Sequence, residues 1–305
     1  MVFQKGMLWQ QVVRVTEQAL CSGALLPVLT EHEFIEDAGV RFFVRILSGL
    51  HRKDAAKELQ KKEATATGRA VNPFLPYEKD LFVADVSGTH VAVLNKFNVV
   101  KHHLLIITRD FEEQETLLTS ADFQALWSCM AEYPCLGFYN AGEVAGASQR
   151  HKHLQIVPLP LAPEGPQVPI EPLLAEAEFK GVLGTAPGFP FLHVFAHAGP
   201  RASKTDAVIA EESFQLYCAM LRKLGMTSPD KNGQRQSGPY ALLVTRDWML
   251  LVPRSREFFA AISVNSLGFA GALLVRNEEQ LKRIKDCGPM EVLREVALPL
   301  LKKQR

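Results

Sequence analysis

The sequence predicts an α+β fold, an antiparallel sheet with packed helices, elaborated at both termini. Three observations predict it. Apolar runs of strand length come in pairs around polar turns. Single stretches with apolar residues at helical spacing separate those pairs. AVILMFWYC residues make up 47% of the 305, enough for a sizeable core, yet no run approaches the roughly 18 apolar residues of a membrane helix.

Residues 1–22 read as a helix, with Leu8, Val12 and Val15 on one stripe. AGVRFFVRIL (38–47) reads as a strand, and the charged stretch 51–70 carries no apolar stripe. THVAVLNKF (89–97) and HHLLIITR (102–109) flank a polar turn and read as a hairpin. Thr119 to Tyr133 reads as a helix, opened by a Thr119/Asp122 capping box. CLGFYN (135–140) is a third strand, AGEVAGAS (141–148) a small-residue loop, and RHKHLQIVPL (150–159) a fourth strand.

Eight of the eighteen prolines fall between Pro158 and Pro190, which marks 158–190 as a long connection. Residues 191–305 then repeat the outline of the first half. Glu211 to Leu224 is a helix closed by Gly225, 240–254 is two apolar runs, and 261–275 is strand, glycine turn, strand. Two helices end the chain, the first capped by Asn277. LLIITRDF (104–111) and LLVPRSREF (250–258) sit at comparable places. Outline alone stands behind a diverged repeat; sequence identity does not carry it. The whole chain, 1–305, reads as one compact unit rather than two independent domains.

Lys and Arg number 34 and Asp and Glu 33, so the net charge is +1. A chain with no field of one sign is not built for non-specific nucleic-acid binding. The odd set of five cysteines contains no C-x-x-C pair, which argues against a disulfide scaffold or zinc knuckle and for free thiols in a reducing compartment. The expected location is the cytoplasm, with neither membrane nor nucleic acid as a partner.

The chemistry concentrates between Asn140 and Gln155. On a strand at 150–159, His151, His153 and Gln155 share one face, and Lys152 turns away, to the surface or behind the site. A neutral imidazole is a competent nucleophile near pH 7 when its second nitrogen is held by an acceptor. Gly142, Gly146, Ala147 and Ser148 form a loop whose backbone N–H groups can approach an anion, and Gln149 adds a side-chain donor. Donors around a nucleophile are what phosphoryl transfer requires. Two histidines at i and i+2 on a strand are also a common metal pair, which would draw a third ligand from a distant histidine.

The runs NPFLPYEKDLFV (72–83), HVAVLNKFNVVKHHLLIITRDFEEQ (90–114), FYNAGEVAGASQRHKHLQIVPLP (138–160), LLVTRDWMLLVPRS (242–255) and VNSLGFAGALLV (264–275) resemble the diadenosine tetraphosphate phosphorylase (ATP adenylyltransferase) family of the histidine triad superfamily. The resemblance implies a histidine-triad-like core at 72–160, elaborated at both termini into a single catalytic unit. It implies phosphorolysis of diadenosine tetraphosphate by inorganic phosphate, giving ATP and ADP through a nucleotidyl-histidine. His153 matches the family nucleophile, flanked by His151 and Gln155. Asn140 and Gly146-Ala147-Ser148-Gln149 match its nucleotide loop, Asn95 and Lys96 match positions near the nucleotide, and Lys53 matches a phosphate-binding lysine. Ala241 departs from the pattern, where an asparagine is usual, and a polar substrate contact is missing there.

A glutamine at 155 cannot protonate a leaving group or activate water, so it favours transfer over hydrolysis. No acidic cage appears in the sequence, so a divalent cation, Mg or Mn, is expected to arrive with the nucleotide rather than reside as a protein-bound metal. Two other functions share parts of this pattern: a sugar-phosphate nucleotidyltransferase, and a non-catalytic nucleotide sensor.

Overall fold

The computed structural model of the chain describes residues 3–47, 72–199, 203–229 and 233–300. Its strands in chain order are β1 (Thr30–Asp37), β2 (Val40–Leu47), β3 (Phe82–Asp85), β4 (His90–Leu94), β5 (Leu104–Thr108), β6 (Cys135–Ala141), β7 (His153–Pro158), β8 (Glu178–Lys180), β9 (Leu183–Thr185), β10 (Val194–His197), β11 (Tyr240–Val244), β12 (Trp248–Pro253), β13 (Phe258–Phe259), β14 (Ile262–Ser263) and β15 (Ala272–Val275). Ten of them form one sheet in the order β3-β4-β5-β7-β6-β11-β12-β10-β9-β8, antiparallel at every junction. β1, β2 and β15 form a smaller sheet in which β15 runs parallel to β2.

The large sheet has the same connectivity on each side of its centre. Three strands, a helix and two strands (β3-β4-β5, Ser120–Met130, β6-β7) are followed by β8-β9-β10, Asp206–Lys223 and β11-β12. The registers correspond too. His153 pairs with Ile107 and Gln155 with Phe138; Trp248 pairs with His197 and Leu250 with Leu243. Trp248 and Leu250 therefore occupy in the second half the places of His153 and Gln155 in the first. The expected alignment of 104–111 with 250–258 is displaced by this register, since β12 answers to β7 and not to β5.

Strands such as YALLV and WMLLVP are apolar at every position because both faces are covered. One face packs on the helices Leu8–Ser22, Ser120–Met130 and Asp206–Lys223 through Leu154, Ile156, Tyr139, Leu242 and Met249, among others. On the other face the second half is sealed. Leu243, Trp248 and Leu250 lie under Val168, Ile170, Leu173 and Phe189 of the proline-rich connection, joined there by the small sheet and the C-terminal helices. In the first half of that face Leu136, Phe138 and Val157 join the same layer, but among the described residues the strands beyond them do not. Phe74, Val91, Val93, Leu105 and Ile107 form a separate apolar patch, and a cleft of about 1180 Å³ opens between this patch and the small sheet.

Several elements differ from expectation. The first helix begins at Leu8 rather than at the chain start, where the Glu132 carboxylate accepts from the N–H groups of Gly6 (2.9 Å) and Leu8 (3.1 Å). β1 was not legible, because TEHEFIED is half-exposed and polar. The proline-rich connection holds the edge strands β8 and β9. Between β14 and β15 lies a short helix, Ser266–Phe269, whose Asn265 cap replaces the expected simple turn. The Thr119/Asp122 capping box and the Asn277 cap form as read. Among the described residues, no helix is long and apolar enough to cross a membrane.

Candidate active site

The expected strand at 150–159 begins only at His153. The three residues before it leave β7 to pair with 112–114. Lys152 N–H donates to Glu112 O (2.8 Å), Gln114 N–H donates to Arg150 O (2.6 Å), and His151 bridges Glu113. His153 is thus the first residue of a central strand and opens toward the cleft.

His153 is 4% exposed. Its Nδ1 lies 2.8 Å from the carbonyl oxygen of His151. A carbonyl only accepts, so Nδ1 carries the hydrogen and Nε2 keeps its lone pair. Burial pushes the ring's pKa down to about 4, so the imidazole is neutral at pH 7. The backbone is clamped by Gln114, whose Oε1 accepts from His153 N–H (2.8 Å) and whose Nε2 donates to His153 O (3.2 Å) and to Asn140 O (2.9 Å). The Phe74 ring packs edge-on at 5.4 Å.

His151 does not offer its ring to the cleft. The ring lies between Phe74 and Phe111, with Nε2–H donating to Thr108 O (2.8 Å) and Nδ1 accepting from Asn72 Nδ2 (3.0 Å). Its contribution to the site is the carbonyl under His153.

Lys152 turns away from the histidines as expected, but it is wholly buried rather than at the surface. Its Nζ donates to Asp122 Oδ2 (2.7 Å), Glu112 Oε2 (3.1 Å) and Leu117 O (3.2 Å). Asp122 Oδ1 also accepts from His90 Nε2 (3.0 Å). Burial works to raise the Asp122 pKa; the His90 hydrogen bond, Lys152 and Thr119 overcome it and hold the carboxyl at about 2. This buried cluster ties the helix Ser120–Met130 to the chain between the two histidines.

Gln155 lines the cleft beside His153, with its Oε1 3.0 Å from His103 Nε2; His103 Nδ1 lies 3.2 Å from Asn95 Nδ2. Lys96 also lines the cleft, its ammonium on Glu78. Asn140 is buried, and its Oδ1 accepts from Ser266 N–H (2.8 Å), which fastens the C-terminal part of the chain to β6. Lys53 lies outside the described residues.

In the loop after β6, Gly146 N–H donates to Glu143 O and Ala147 N–H to Gly142 O. Those two groups are spent inside the loop. The N–H groups of Ser148 and Gln149 make no hydrogen bond among the described residues, and both residues line the cleft. Gly146 has φ +94°, and a Cβ there would sit 2.8 Å from Asn265 Cβ and 2.9 Å from its Cα, so the residue must be glycine. The loop is held from behind by Arg254. That buried guanidinium donates to the carbonyls of Ala145 (3.1 Å) and Val264 (2.7 Å), and burial lowers its pKa to about 10.

Of the cations lining the cleft, Lys96, Arg150 and Arg235 pair with Glu78, Glu113 and Glu115. Arg45 on β2 has no carboxylate partner among the described residues. It stacks on Phe43 at 4.6 Å, and its Nη2 reaches Leu161 O only at 3.5 Å. Among the described residues, no group of three or more His, Cys, Asp or Glu side chains is placed to hold a metal ion.

His153, Gln155, Asn95, Lys96, Asn140 and residues 146–149 thus come together on one cleft. Ala241, although paired with Asn140 across β6 and β11, is buried in the apolar layer and does not line it. An asparagine is therefore not missing from the cleft wall at that position. Sequence reasoning missed Gln114, His103 and Arg45. His103 follows His102 just before the apolar run 104–108, Gln114 lies in the polar stretch DFEEQET (110–116) after it, and Arg45 interrupts the apolar run 38–47.

Residues 1–176 match the family model of the Ap4A phosphorylase N-terminal domain, and residues 187–299 that of the ATP adenylyltransferase C-terminal domain. Among curated proteins, diadenosine 5',5'''-P1,P4-tetraphosphate phosphorylase 2 of Saccharomyces cerevisiae is 27% identical over 240 residues, 72% of this chain and 73% of that protein. Protein APA1 of the same yeast is 25% identical over 247 residues, 75% of this chain and 76% of that protein. The crystal structure of yeast Ap4A phosphorylase Apa2 superposes with a TM-score of 0.78 at 22% identity, covering 100% of this chain and 98% of that one. Its complex with Ap4A superposes at 0.76 with 21% identity, covering 98% and 99%. The chain shares their fold.

Proposed function

We propose that this chain, which belongs to the Ap4A phosphorylase family, cleaves diadenosine tetraphosphate with inorganic phosphate to give ATP and ADP. The reaction is two displacements at phosphorus. Nε2 of His153 attacks the α-phosphorus of one adenylyl group; the N–P bond forms, the P–O bond breaks, and ATP leaves with the electron pair. The adenylylated ring retains its Nδ1 hydrogen and carries positive charge, which the His151 carbonyl stabilises by accepting the Nδ1–H hydrogen bond. Phosphate oxygen then attacks the same phosphorus, the N–P bond breaks, ADP leaves, and the neutral imidazole returns.

One observation carries this reading: a buried, neutral imidazole whose Nδ1 is committed to a backbone carbonyl, leaving Nε2 to the cleft. The remaining groups supply the setting. The free N–H groups of Ser148 and Gln149 suit phosphoryl oxygens, as does the amide of Gln155. Arg45, a cleft cation with no carboxylate partner among the described residues, suits the polyphosphate chain. Among the described residues no acidic cage is built; a divalent cation, Mg or Mn, would be held by the substrate's own oxygens and neutralise their charge. The free cysteines fit a reducing compartment, and we place the reaction in the cytoplasm.

Incubation with diadenosine tetraphosphate, with and without phosphate, tests the proposal. Phosphate-dependent appearance of ATP and ADP in equal amounts is expected. ATP with AMP would assign hydrolysis instead, and no turnover would reject the function.

A further inference from the structure

We infer that His103, which touches no reacting atom, sets the polarity of the Gln155 amide through its tautomer and so decides whether the active site presents a donor or an acceptor to the phosphoryl group. The inference rests on the proposed adenylyl transfer and deepens it.

Three side chains form a line: Asn95 Nδ2, His103 Nδ1 at 3.2 Å, His103 Nε2, and Gln155 Oε1 at 3.0 Å. A neutral imidazole has one donor and one acceptor nitrogen, so the line has a direction. With Asn95 donating to Nδ1, the hydrogen sits on Nε2 and is donated to Gln155 Oε1. The Gln155 oxygen is then occupied, and its NH2 has no hydrogen-bond partner among the described residues, at a position lining the cleft next to His153. The opposite tautomer would require the Asn95 oxygen at Nδ1 and the Gln155 NH2 at Nε2. It would leave a carbonyl oxygen facing an anion.

A glutamine alone has no reason to prefer either orientation, because its two ends are nearly the same shape. Something beside it must choose, and His103 is the group in contact with it. The environment holds His103 still: its ring lies 5.8 Å from that of Phe138, the cross-strand neighbour of Gln155, and its backbone carbonyl accepts from Asn95 N–H at 2.9 Å. Asn95 thus grips both the backbone and the ring of the residue it orients. A doubly protonated ring would also donate from Nε2 to the Gln155 oxygen, with the Asn95 amide turned so that its oxygen accepts from Nδ1–H. His103 is therefore a positioning residue. The transition state gathers charge on the phosphoryl oxygens, and a donor whose direction is set in advance stabilises that charge without reorganising.

A double-mutant cycle tests this. Release of ATP from diadenosine tetraphosphate is followed in a single turnover without phosphate, for wild type, His103→Phe, His103→Gln, Gln155→Ala and His103→Phe/Gln155→Ala. His103→Phe should slow release by about 10- to 100-fold, on the order of the loss from Gln155→Ala. In the Gln155→Ala background the same change should add less than about twofold. His103→Gln, which keeps a donor toward Gln155 and an acceptor toward Asn95, should recover most of the rate. Equal losses in both backgrounds, no loss in His103→Phe, or a His103→Gln as slow as His103→Phe would each overturn the inference. Calorimetric AMP binding repeats the comparison without chemistry: His103→Phe and Gln155→Ala should each weaken AMP by about tenfold, and the double variant by no more. Additive weakening overturns the inference here too. Wild type that binds AMP but releases no ATP counts against the proposed reaction, and the binding cycle still judges His103.

Discussion

The Nδ1 of His153 lies 2.8 Å from the carbonyl oxygen of His151. The first histidine of the pair therefore acts through its backbone and the second through its ring. Their spacing of two residues serves to bring a carbonyl beneath an imidazole, not to present two rings to one ligand. The His151 ring is fully used elsewhere, between Thr108 and Asn72.

A pH profile follows from the burial of His153. Burial lowers its pKa from the ordinary 6.5 to about 4, so the nucleophile stays neutral well below pH 6.5. Single-turnover ATP release after a rapid pH jump should lose half its rate near pH 4 on the acid side. The sign for stability is the same. Above pH 6.5 neither folded nor unfolded ring is protonated. Between 6.5 and 4 the unfolded chain takes up a proton that the folded one refuses, so stability declines across that window. A half-loss of rate near pH 6.5 would contradict the assigned environment.

The Lys152–Asp122 pair should behave as a buried ion pair with one indispensable partner. Asp122→Ala leaves the buried ammonium with only the half-exposed Glu112 carboxylate and the Leu117 carbonyl, and should cost about 3–5 kcal/mol in urea unfolding. The double change Lys152→Met/Asp122→Leu removes both charges and should recover most of that loss. Asp122, held at about 2, also contributes stability that is present above the unfolded carboxyl value of 3.8 and lost as pH falls through 2. A cost of under about 1 kcal/mol for Asp122→Ala would contradict the pairing.

Much of this site could be read from residue order. The small-residue loop followed by His-x-His-x-Gln located the cleft, and the apolar strands around it located the sheet. What could not be read depends on contacts across the fold. Alternation along a strand turns Lys152 away from the histidines, but it cannot reveal that a helix covers that side and brings Asp122 to 2.7 Å. Nor can it reveal that chain pairing with 112–114 delays β7 until His153. Gln114 stands among charged residues (DFEEQET, 110–116) and His103 beside His102 and Lys101, so neither stands out in the sequence, and only the fold brings them against His153 and Gln155, 39 and 52 positions further along the chain. β1 escaped notice because a half-exposed edge strand has no need of apolar alternation.

Gln155→His should shift the products. An imidazole at that place can deprotonate water, as an amide cannot. AMP release relative to ADP formation should rise when phosphate is limiting, as read by chromatography of the products. An unchanged AMP-to-ADP ratio would contradict the role given to the amide.

Arg45→Gln removes a cleft cation that has no carboxylate partner among the described residues. A charge-assisted contact to polyphosphate is worth on the order of 1.5 kcal/mol or more, so KM for diadenosine tetraphosphate should rise about tenfold. AMP, with a single phosphate, should bind with less than about a threefold change. Steady-state kinetics and calorimetry read the two quantities, and equal weakening of both ligands would place Arg45 at the nucleotide rather than at the chain.

The central claim is a covalent bond between phosphorus and Nε2 of His153. Enzyme mixed with diadenosine tetraphosphate in the absence of phosphate, quenched and digested, should yield an adenylylated peptide carrying the modification on His153 by tandem mass spectrometry. The adduct should disappear when phosphate is added before the quench, and His153→Ala should form none, with turnover lowered by on the order of a thousandfold or more. ATP release by wild type with no adduct on that ring, or an adduct on another residue, would contradict the account.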